Sequence, residues 1–171
     1  MSRLFEERAM PPIRLATGFV CLFLAGLAGA APPSDGPPDL AGKVAPVPPE
    51  LRDALKLSPF YKKYLDCGGF PILSSEKVSD AALLEASDIV NHMLDGRDDV
   101  RTAIIKNKVR LAVMAPDEQT TDVPEHSDLT PKDYWDRRAR GLGATRVRPA
   151  VSGGEENLLN LKGDRYDKED I

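Results

Sequence analysis

The two histidines decide which metal chemistry this sequence can support. His92 and His126 lie 34 positions apart, and neither is followed by a glutamate. Zinc peptidases of the His-Glu-x-x-His type need two histidines four residues apart on one helix face, with the glutamate activating a metal-bound water. The sequence therefore predicts no metal ligands and no general base of that kind.

His126 lies in a stretch rich in carboxylates, between Glu125 and Asp128. A lone histidine beside carboxylates can be a weak metal ligand, but a metal site needs three or four ligands. The sequence favours the alternative, a surface histidine that forms hydrogen bonds. His92 falls on the polar side of a predicted helix, where we expect it to face solvent.

The segment Ser152–Asn157 contains two adjacent carboxylates, Glu155 and Glu156. Two carboxylates can act as general acid and base when they converge on one substrate atom. On a predicted strand, adjacent side chains point to opposite faces and do not converge. Ser152 lacks the G-x-S-x-G context of a nucleophile and has no obvious histidine base. No catalytic residue is predicted from this segment.

One cluster of basic residues raises the question of a polyanion partner. It contains five arginines that follow Tyr134 and Trp135: Arg137, Arg138, Arg140, Arg146 and Arg148. The whole chain carries 27 acidic and 23 basic side chains, a formal net charge of -4, which argues against nucleic-acid binding through bulk charge. We expect an exposed, ion-paired surface and no nucleic-acid partner.

The elements that position these residues follow from the spacing of apolar side chains. The clearest helix is predicted at Asp80–Leu94, with Ser79 or Asp80 as its cap. A second helix is predicted at 98–107, because acidic residues open it and lysines close it. Strands are predicted at 70–73 and 109–115.

Weaker patterns predict the other elements. They are a short helix at 51–57, a further helical turn over 60–65 that ends at Gly68-Gly69, a short helix from Tyr134 to Arg140, and an edge strand or hairpin formed by 150–151 and 157–161 around Gly153-Gly154. The order of helices and strands indicates an α/β (α+β) fold, with helices packed on a small mixed sheet.

The first 30 residues have the layout of a secretory signal peptide. A basic start precedes the apolar run Leu15–Leu27, and small residues follow it at 28–30. The alternative, a membrane-anchoring helix, is disfavoured because the run is short. Residues 31–50 are predicted to be a disordered Pro-rich linker, and residues 51–171 one domain. We expect a secreted chain without a membrane segment after cleavage, with Cys67 as its only cysteine.

Five stretches have long and idiosyncratic sequences: PFYKKYLDCGGFPILSSEKVSDAALLEASDIVNHML, VRLAVMAPDEQTTDVPEHSDL, DYWDRRARGLGAT, RPAVSGGEENLL and GDRY. They run in order and span about two thirds of the chain. In these stretches the sequence resembles a family of secreted zinc-metallopeptidase-like proteins of the zincin type, distantly similar to the catalytic domain of anthrax lethal factor. The resemblance implies an incomplete zincin-like domain over residues 51–171.

In that family, the stretch resembling GDRY is followed by the helix that carries His-Glu-x-x-His. This sequence ends at Ile171, about where that helix is expected to begin. The resemblance therefore implies the part of the domain upstream of the zinc-binding helix. Zinc is expected for the complete family member, but no zinc ligand or catalytic residue can be carried over to this chain, and no cofactor is expected in it.

The resemblance also implies two roles near residue 153. The family pattern has a cysteine in place of Gly153, and that cysteine would be the disulfide partner of Cys67. An edge strand of the family's domain lies beside the substrate cleft. Substrate binding is accordingly expected at six positions: Ser152, Gly153, Gly154, Glu155, Glu156 and Asn157.

Two functions remain open at this point. The first is the N-terminal fragment of a secreted zinc metallopeptidase-like protein, which resembles peptide-bond hydrolases, is inactive alone, and has a peptide or protein as its substrate once completed. The second is a secreted non-catalytic binding or inhibitor module that reuses the fold.

Overall fold

A computed structural model describes residues 42–138 and 140–162 of the chain. The predicted signal peptide at 1–30 and the GDRY stretch at 163–166 lie outside the described residues. The fold consists of a mixed sheet with helices and turns on both faces, which confirms the predicted α/β class.

The described sheet has five strands in the spatial order β1-β2-β3-β4-β5. The strands are β1 (Ala45–Pro46), β2 (Lys63–Cys67), β3 (Phe70–Ser74), β4 (Arg110–Met114) and β5 (Ala150–Gly154). β1, β2 and β3 pair antiparallel, whereas β3, β4 and β5 pair parallel. β3 is buried at every position because both of its faces are covered, as its continuous apolar sequence indicates.

Four of the described helices lie between strands, and the fifth follows β5. They are α1 (Pro49–Leu55), α2 (Asp80–Met93), α3 (Asp98–Lys106), α4 (Lys132–Arg138) and α5 (Glu155–Leu158). Two short 3-10 turns, Thr120–Asp122 and Pro124–His126, lie between β4 and α4. Among residues 42–138 and 140–162, no helix is long and apolar enough to cross a membrane.

The predictions for α2, α3, β3 and β4 are confirmed within one or two residues. At the start of α2, the Ser79 hydroxyl accepts a hydrogen bond from the Ala82 N–H at 3.3 Å, so Ser79 is the cap. These elements have strong local signals, namely an N-terminal cap, an amphipathic face or a bounding proline.

The predicted helical turn over 60–65 is wrong, because Lys63–Cys67 form strand β2. Gly68 and Gly69 both have positive φ angles, 59° and 83°, and form the two-residue turn of a β-hairpin instead of a helix end. The turn sets Cys67 opposite Phe70 and Leu65 opposite Ile72.

Two other predictions are corrected by strand pairing and helix formation. The predicted linker extends to residue 50, but Ala45 and Pro46 pair with β2, so ordered structure begins earlier. The edge-strand alternative holds for β5, which is the outer strand beyond β4. The hairpin alternative fails, because the chain enters helix α5 at Glu155.

Alternating side chains of the sheet form two apolar clusters, one on each face. On the first face Leu65, Ile72 and Val113 pack against Leu83 and Ala86 of α2. On the second face, other strand residues pack against α1 and the turns: Tyr64, Leu73, Ala112 and Met114 with Leu57, Tyr61 and Val123. The period of two along each strand divides the core between the faces.

Replacing Leu73 by alanine should lower the free energy of unfolding by about 2–5 kcal/mol, because Leu73 is fully buried on the middle strand. Leu84→Ala removes the same atoms from a side chain that is 47% exposed on α2, and should cost less than about 1 kcal/mol. Urea unfolding of both variants measures the difference. Equal losses would contradict the burial of Leu73.

Candidate functional site

Buried polar side chains collect at one edge of the sheet, where the parallel strands β4 and β5 end. Glu118 follows β4, Glu155 and Glu156 follow β5, and Arg140 reaches the same place from the loop after α4. All four side chains are buried. The carboxyl edge of parallel strands is the usual location of ligand sites in open α/β sheets, so these four residues form a candidate site.

The guanidinium of Arg140 is the centre of the cluster. It donates to the Glu156 carboxylate through Nε at 2.5 Å and through Nη2 at 3.2 Å. It also donates to the Ala115 carbonyl at 2.8 Å and to the Glu118 carbonyl. A two-pronged arginine–carboxylate pair is strong and directional. Arg140 therefore fixes the ends of β4 and β5 against the loop that precedes β5.

The other carboxylates of the cluster also accept internal hydrogen bonds. Glu118 accepts from the Ala115 N–H at 2.8 Å, and Glu155 accepts from the Ser79 N–H at 3.2 Å, at the start of α2. Glu155 and Glu156 were expected on a strand with opposed side chains; both instead lie buried in the first turn of α5, where the helix dipole favours carboxylates. Their contacts hold secondary structure elements together.

The outer edge of β5 is covered at Ser152. The Ser152 N–H donates to the Leu142 carbonyl at 2.9 Å, and the Leu142 N–H donates to Ser152 Oγ at 3.0 Å. A Cβ on residue 141 would lie 2.7 Å from the Ser152 carbonyl oxygen. The close contact between the backbones of Gly141 and Ser152 therefore requires glycine at position 141. The segment Gly141–Leu142 therefore occupies the position where an added strand would pair.

The six expected substrate-binding residues lie in different environments. Ser152, Gly154, Glu155 and Glu156 are buried, whereas Gly153 and Asn157 are half-buried. Only Gly153 has open space where a side chain would begin. In the structure, this segment presents little polar surface to a substrate.

The prediction of a surface position for His126 is wrong, since its side chain is buried. His126 lies in the second 3-10 turn, and its Nε2 is 3.2 Å from Ser152 Oγ. Its Nδ1 is buried without a hydrogen-bond partner in the described part of the chain. Burial lowers the pKa of His126; the Glu125 charge opposes the shift and Arg148 adds to it.

The turn that carries His126 is anchored by a second buried ion pair. Arg110 of β4 donates to Glu125 through Nη2 at 2.6 Å and through Nε at 2.8 Å. The Tyr61 hydroxyl donates to the same carboxylate. Burial, followed by the Glu125 charge, raises the pKa of Tyr61 far above its ordinary value, so the phenol stays a donor.

The exposed polar residues agree with their predictions in part. His92 is exposed as predicted, and the Asp88 carbonyl and carboxylate raise its pKa. Arg148 forms an ion pair with Asp128 at 2.8 Å. Arg138 lies 5.6 Å from the centre of the Trp135 ring. The prediction of an exposed arginine surface is wrong for Arg140, which is buried.

Cys67 is a buried free thiol, and the disulfide implied at position 153 does not fit the sheet. Cys67 lies on β2 and Gly153 on β5, with β3 and β4 between them. Three strand spacings amount to about 14 Å, twice the Cα separation that a disulfide spans. The Cys67 thiol instead donates to Asn91 Oδ1 at 3.2 Å.

The described residues do not offer a ligand set for zinc. Within 42–138 and 140–162, no three histidine, cysteine, aspartate or glutamate side chains are grouped so that they could hold a metal ion. No step through zinc is assigned to these residues.

An apolar groove of about 300 Å³ lies on the first face of the sheet. Ile89 and Met93 of α2 and Ile104 of α3 form one part of its lining, and Val151 of β5 and Leu158 of α5 form another. The last two residues flank the segment Ser152–Asn157. The groove and this segment are therefore adjacent.

The exposure of α2 shows where packing ends. Along one helix face, the exposed fraction rises from 0% at Ala82 and 1% at Ala86 to 38% at Ile89 and 73% at Met93. An amphipathic face normally stays buried along its length. The C-terminal half of α2 therefore presents apolar surface that the described residues leave uncovered.

No protein-family model, curated protein or solved structure matches this chain.

Two contacts between these candidate residues were missed by sequence reasoning. The contact between His126 and Ser152 joins residues 26 positions apart, and the pair formed by Arg140 and Glu156 joins residues 16 apart. Local periodicity carries no signal for contacts of this range. The glycines at 141 and 154 were the available hint, since each sits where a side chain would collide.

Gly154→Ala should destabilise the protein, because a Cβ at this position would lie 2.8 Å from the Glu156 carboxylate and displace it from Arg140. Breaking one partner of a buried ion pair costs about 3–5 kcal/mol, and partial displacement should cost about 1–3 kcal/mol. Gly153→Ala is the matched control, since nothing lies within 4 Å of its Cβ. Thermal unfolding compares the two variants. Equal melting temperatures would contradict the close contact between position 154 and the Glu156 carboxylate.

Gly153→Cys should not form a disulfide with Cys67, because two strands separate the positions. Non-reducing peptide mapping after mild oxidation should find both thiols unlinked to one another. Phe70→Cys is the positive control, since residue 70 lies opposite Cys67 in the hairpin. An intramolecular link in the Gly153 variant would show that the strand order is wrong.

Proposed function

We propose that this chain is the N-terminal part of a secreted zinc metallopeptidase-like protein of the zincin type, without zinc ligands of its own and inactive as a peptidase alone. The apolar groove beside Ser152–Asn157 carries the proposal. In a complete protein of this kind, the groove would receive the helix that bears His-Glu-x-x-His.

The first support is the placement of the stretches that carry the resemblance. The longest covers the hairpin of β2 and β3 together with α2, and the next covers β4 and the two 3-10 turns. The stretch over 148–159 covers β5 and α5. The resemblance therefore includes the sheet and its covering helix, which form the core.

The second support is the chemistry of the groove. Its lining is apolar throughout, and it runs beside α2, whose C-terminal half leaves Ile89 and Met93 exposed. A helix with one apolar face buries such surface favourably, at about 25 cal/mol per Å² removed from water. A zinc-binding helix seated here would lie beside β5, the strand expected at the cleft.

The second candidate is a secreted non-catalytic binding or inhibitor module. The same groove favours it, because an uncovered apolar surface on a folded protein is a common binding site for a partner helix. The two candidates differ in whether a seated helix with zinc ligands produces a peptidase. Both candidates have a chain that is not a peptidase by itself.

The purified protein should bind zinc no more tightly than a surface background and should not cleave casein. Competition with a chromophoric zinc indicator and a fluorescent casein assay measure the two properties. Adding a 15-residue amphipathic helical peptide that carries His-Glu-x-x-His should produce binding at the groove. Stoichiometric tight zinc binding, with chelator-sensitive cleavage by the chain alone, would overturn the proposal.

The seat of the peptide is tested with two variants of α2. Met93→Glu places a charge in the groove and should weaken peptide binding at least tenfold, a change of about 1.4 kcal/mol or more. Leu84→Glu adds the same charge at an exposed apolar position outside the groove lining, and should leave binding unchanged. Equal effects of the two substitutions on peptide binding would exclude the groove as the binding site. Peptide binding without zinc-dependent cleavage would favour the non-catalytic module.

A further inference from the structure

We propose that His126 is a pH-sensitive latch on the outer edge of β5. In its neutral form it holds Ser152 and the covering segment Gly141–Leu142 against the strand; protonation releases that segment and frees the Ser152 backbone to pair with an extended peptide. The inference deepens the proposed function and rests on it for the role of β5 beside a substrate cleft.

The hydrogen bonds of Ser152 Oγ explain why the latch depends on a neutral imidazole. Oγ accepts from the Leu142 N–H at 3.0 Å and lies 3.2 Å from His126 Nε2. With the proton on Nδ1, two hydrogen bonds follow one another: the Leu142 N–H donates to Ser152 Oγ, and the Ser152 hydroxyl donates to His126 Nε2. Each hydrogen bond in such a chain strengthens the next.

Protonation disrupts this arrangement at Nε2 and places a positive charge on the buried ring. The imidazolium has N–H donors at both ring nitrogens, so Nε2 can no longer accept from the Ser152 hydroxyl. The Nδ1–H, which lacks a hydrogen-bond partner among the described residues, then belongs to a charged ring in a side chain that is 1% exposed. Burying a charged donor without a partner is costly, so the proton favours an open form in which His126 reaches water.

Glu125, through its charge and its backbone carbonyl, and Asp128 favour the imidazolium, but less than burial and Arg148 disfavour it. On its own turn lie Glu125 and Asp128, and each carboxylate already has a cation. Glu125 is bound by Arg110 of β4, and Asp128 by Arg148 from the loop before β5. The Ser152 hydroxyl is the group that β5 presents to His126.

The direction of the pH effect follows from these contacts. Burial lowers the pKa of His126 in the closed form, whereas an exposed histidine titrates near about 6.5. The stabilisation of the closed form is therefore fully present above about pH 6.5 and is lost as the pH falls below that value. The Asp128 carboxylate remains charged in this range, because Arg148 lowers its pKa.

The consequence for binding is the exposure of a strand edge. The Ser152 N–H, which donates to the Leu142 carbonyl at 2.9 Å, becomes available when the segment leaves. An outer strand with free backbone groups adds an extended peptide by main-chain hydrogen bonds. The latch would thus keep the edge closed near neutral pH and open it in an acidic environment.

Hydrogen exchange of the Leu142 and Ser152 amides tests the latch in the purified protein. After correction for intrinsic rates, their protection factors should fall by up to about tenfold per pH unit below about 6.5, the limit set by one proton. The amides of β3 should stay protected, which shows local opening and not global unfolding. Constant protection at Leu142 and Ser152 across this range would overturn the proposal.

Two glutamine variants assign the effect to one histidine. His126→Gln keeps a polar side chain without titrating, and should abolish the pH dependence at both amides. His92→Gln changes the exposed histidine and should leave it intact. A pH dependence that persists in the His126 variant would assign the opening to another group and overturn the proposal.

Direct titration of His126 by imidazole ¹⁵N NMR applies to the unmodified protein, even where the variant fails to fold. A folded-state pKa of His126 at or above about 6.5 would overturn the latch.

Binding of fluorescein-labelled β-casein distinguishes the latch from the proposed function. Binding that strengthens at pH 5 supports both, whereas opening without casein binding keeps the latch and contradicts the substrate role of β5.

Discussion

The buried guanidinium of Arg140 is the constraint on which the carboxyl edge of the sheet depends. A charge in an apolar interior must have its hydrogen bonds filled, and Arg140 does this with Glu156 and with the carbonyls of Ala115 and Glu118. Gly154 has no side chain because the Glu156 carboxylate occupies that space. One cation thus determines the path of the chain after β4, after α4 and after β5.

Desolvation offsets most of the attraction within such a buried pair, whereas removing one partner leaves an uncompensated buried charge. The pair of Arg110 and Glu125 has a similar role on the second face of the sheet. It holds the 3-10 turn that carries His126, while Tyr61 fills another site on the same carboxylate. Polar contacts therefore position the loops, and apolar packing positions the strands and α2.

β5 links the two faces of the molecule. Its side chains alternate, so Val151 reaches the apolar groove while Ser152 reaches His126 on the opposite face. A change at the latch therefore acts on the same strand that borders the groove. This arrangement joins the proposed seat of a helix and the proposed strand edge in five consecutive residues, Ala150–Gly154.

The sequence by itself determined the elements whose signals are local. α2 begins at Ser79 because its hydroxyl caps the helix, and β4 stops near Pro116 because proline cannot continue the ladder. The sequence did not determine β2, because Tyr64 and Leu65 are both buried and their apolar run fits a helix or a strand equally well. Pairing with β3 across Gly68-Gly69 decided between the two.

Only the tertiary structure decided the candidate site. Whether Glu155 and Glu156 lie on a strand or a helix, and whether Arg140 and His126 face water, depends on partners 16 to 76 positions away. A polar side chain is exposed by default, and it becomes buried only where distant residues supply its hydrogen bonds. The sequence therefore set the residue types that could do chemistry, and the packing of β5 against its neighbours set which of them meet.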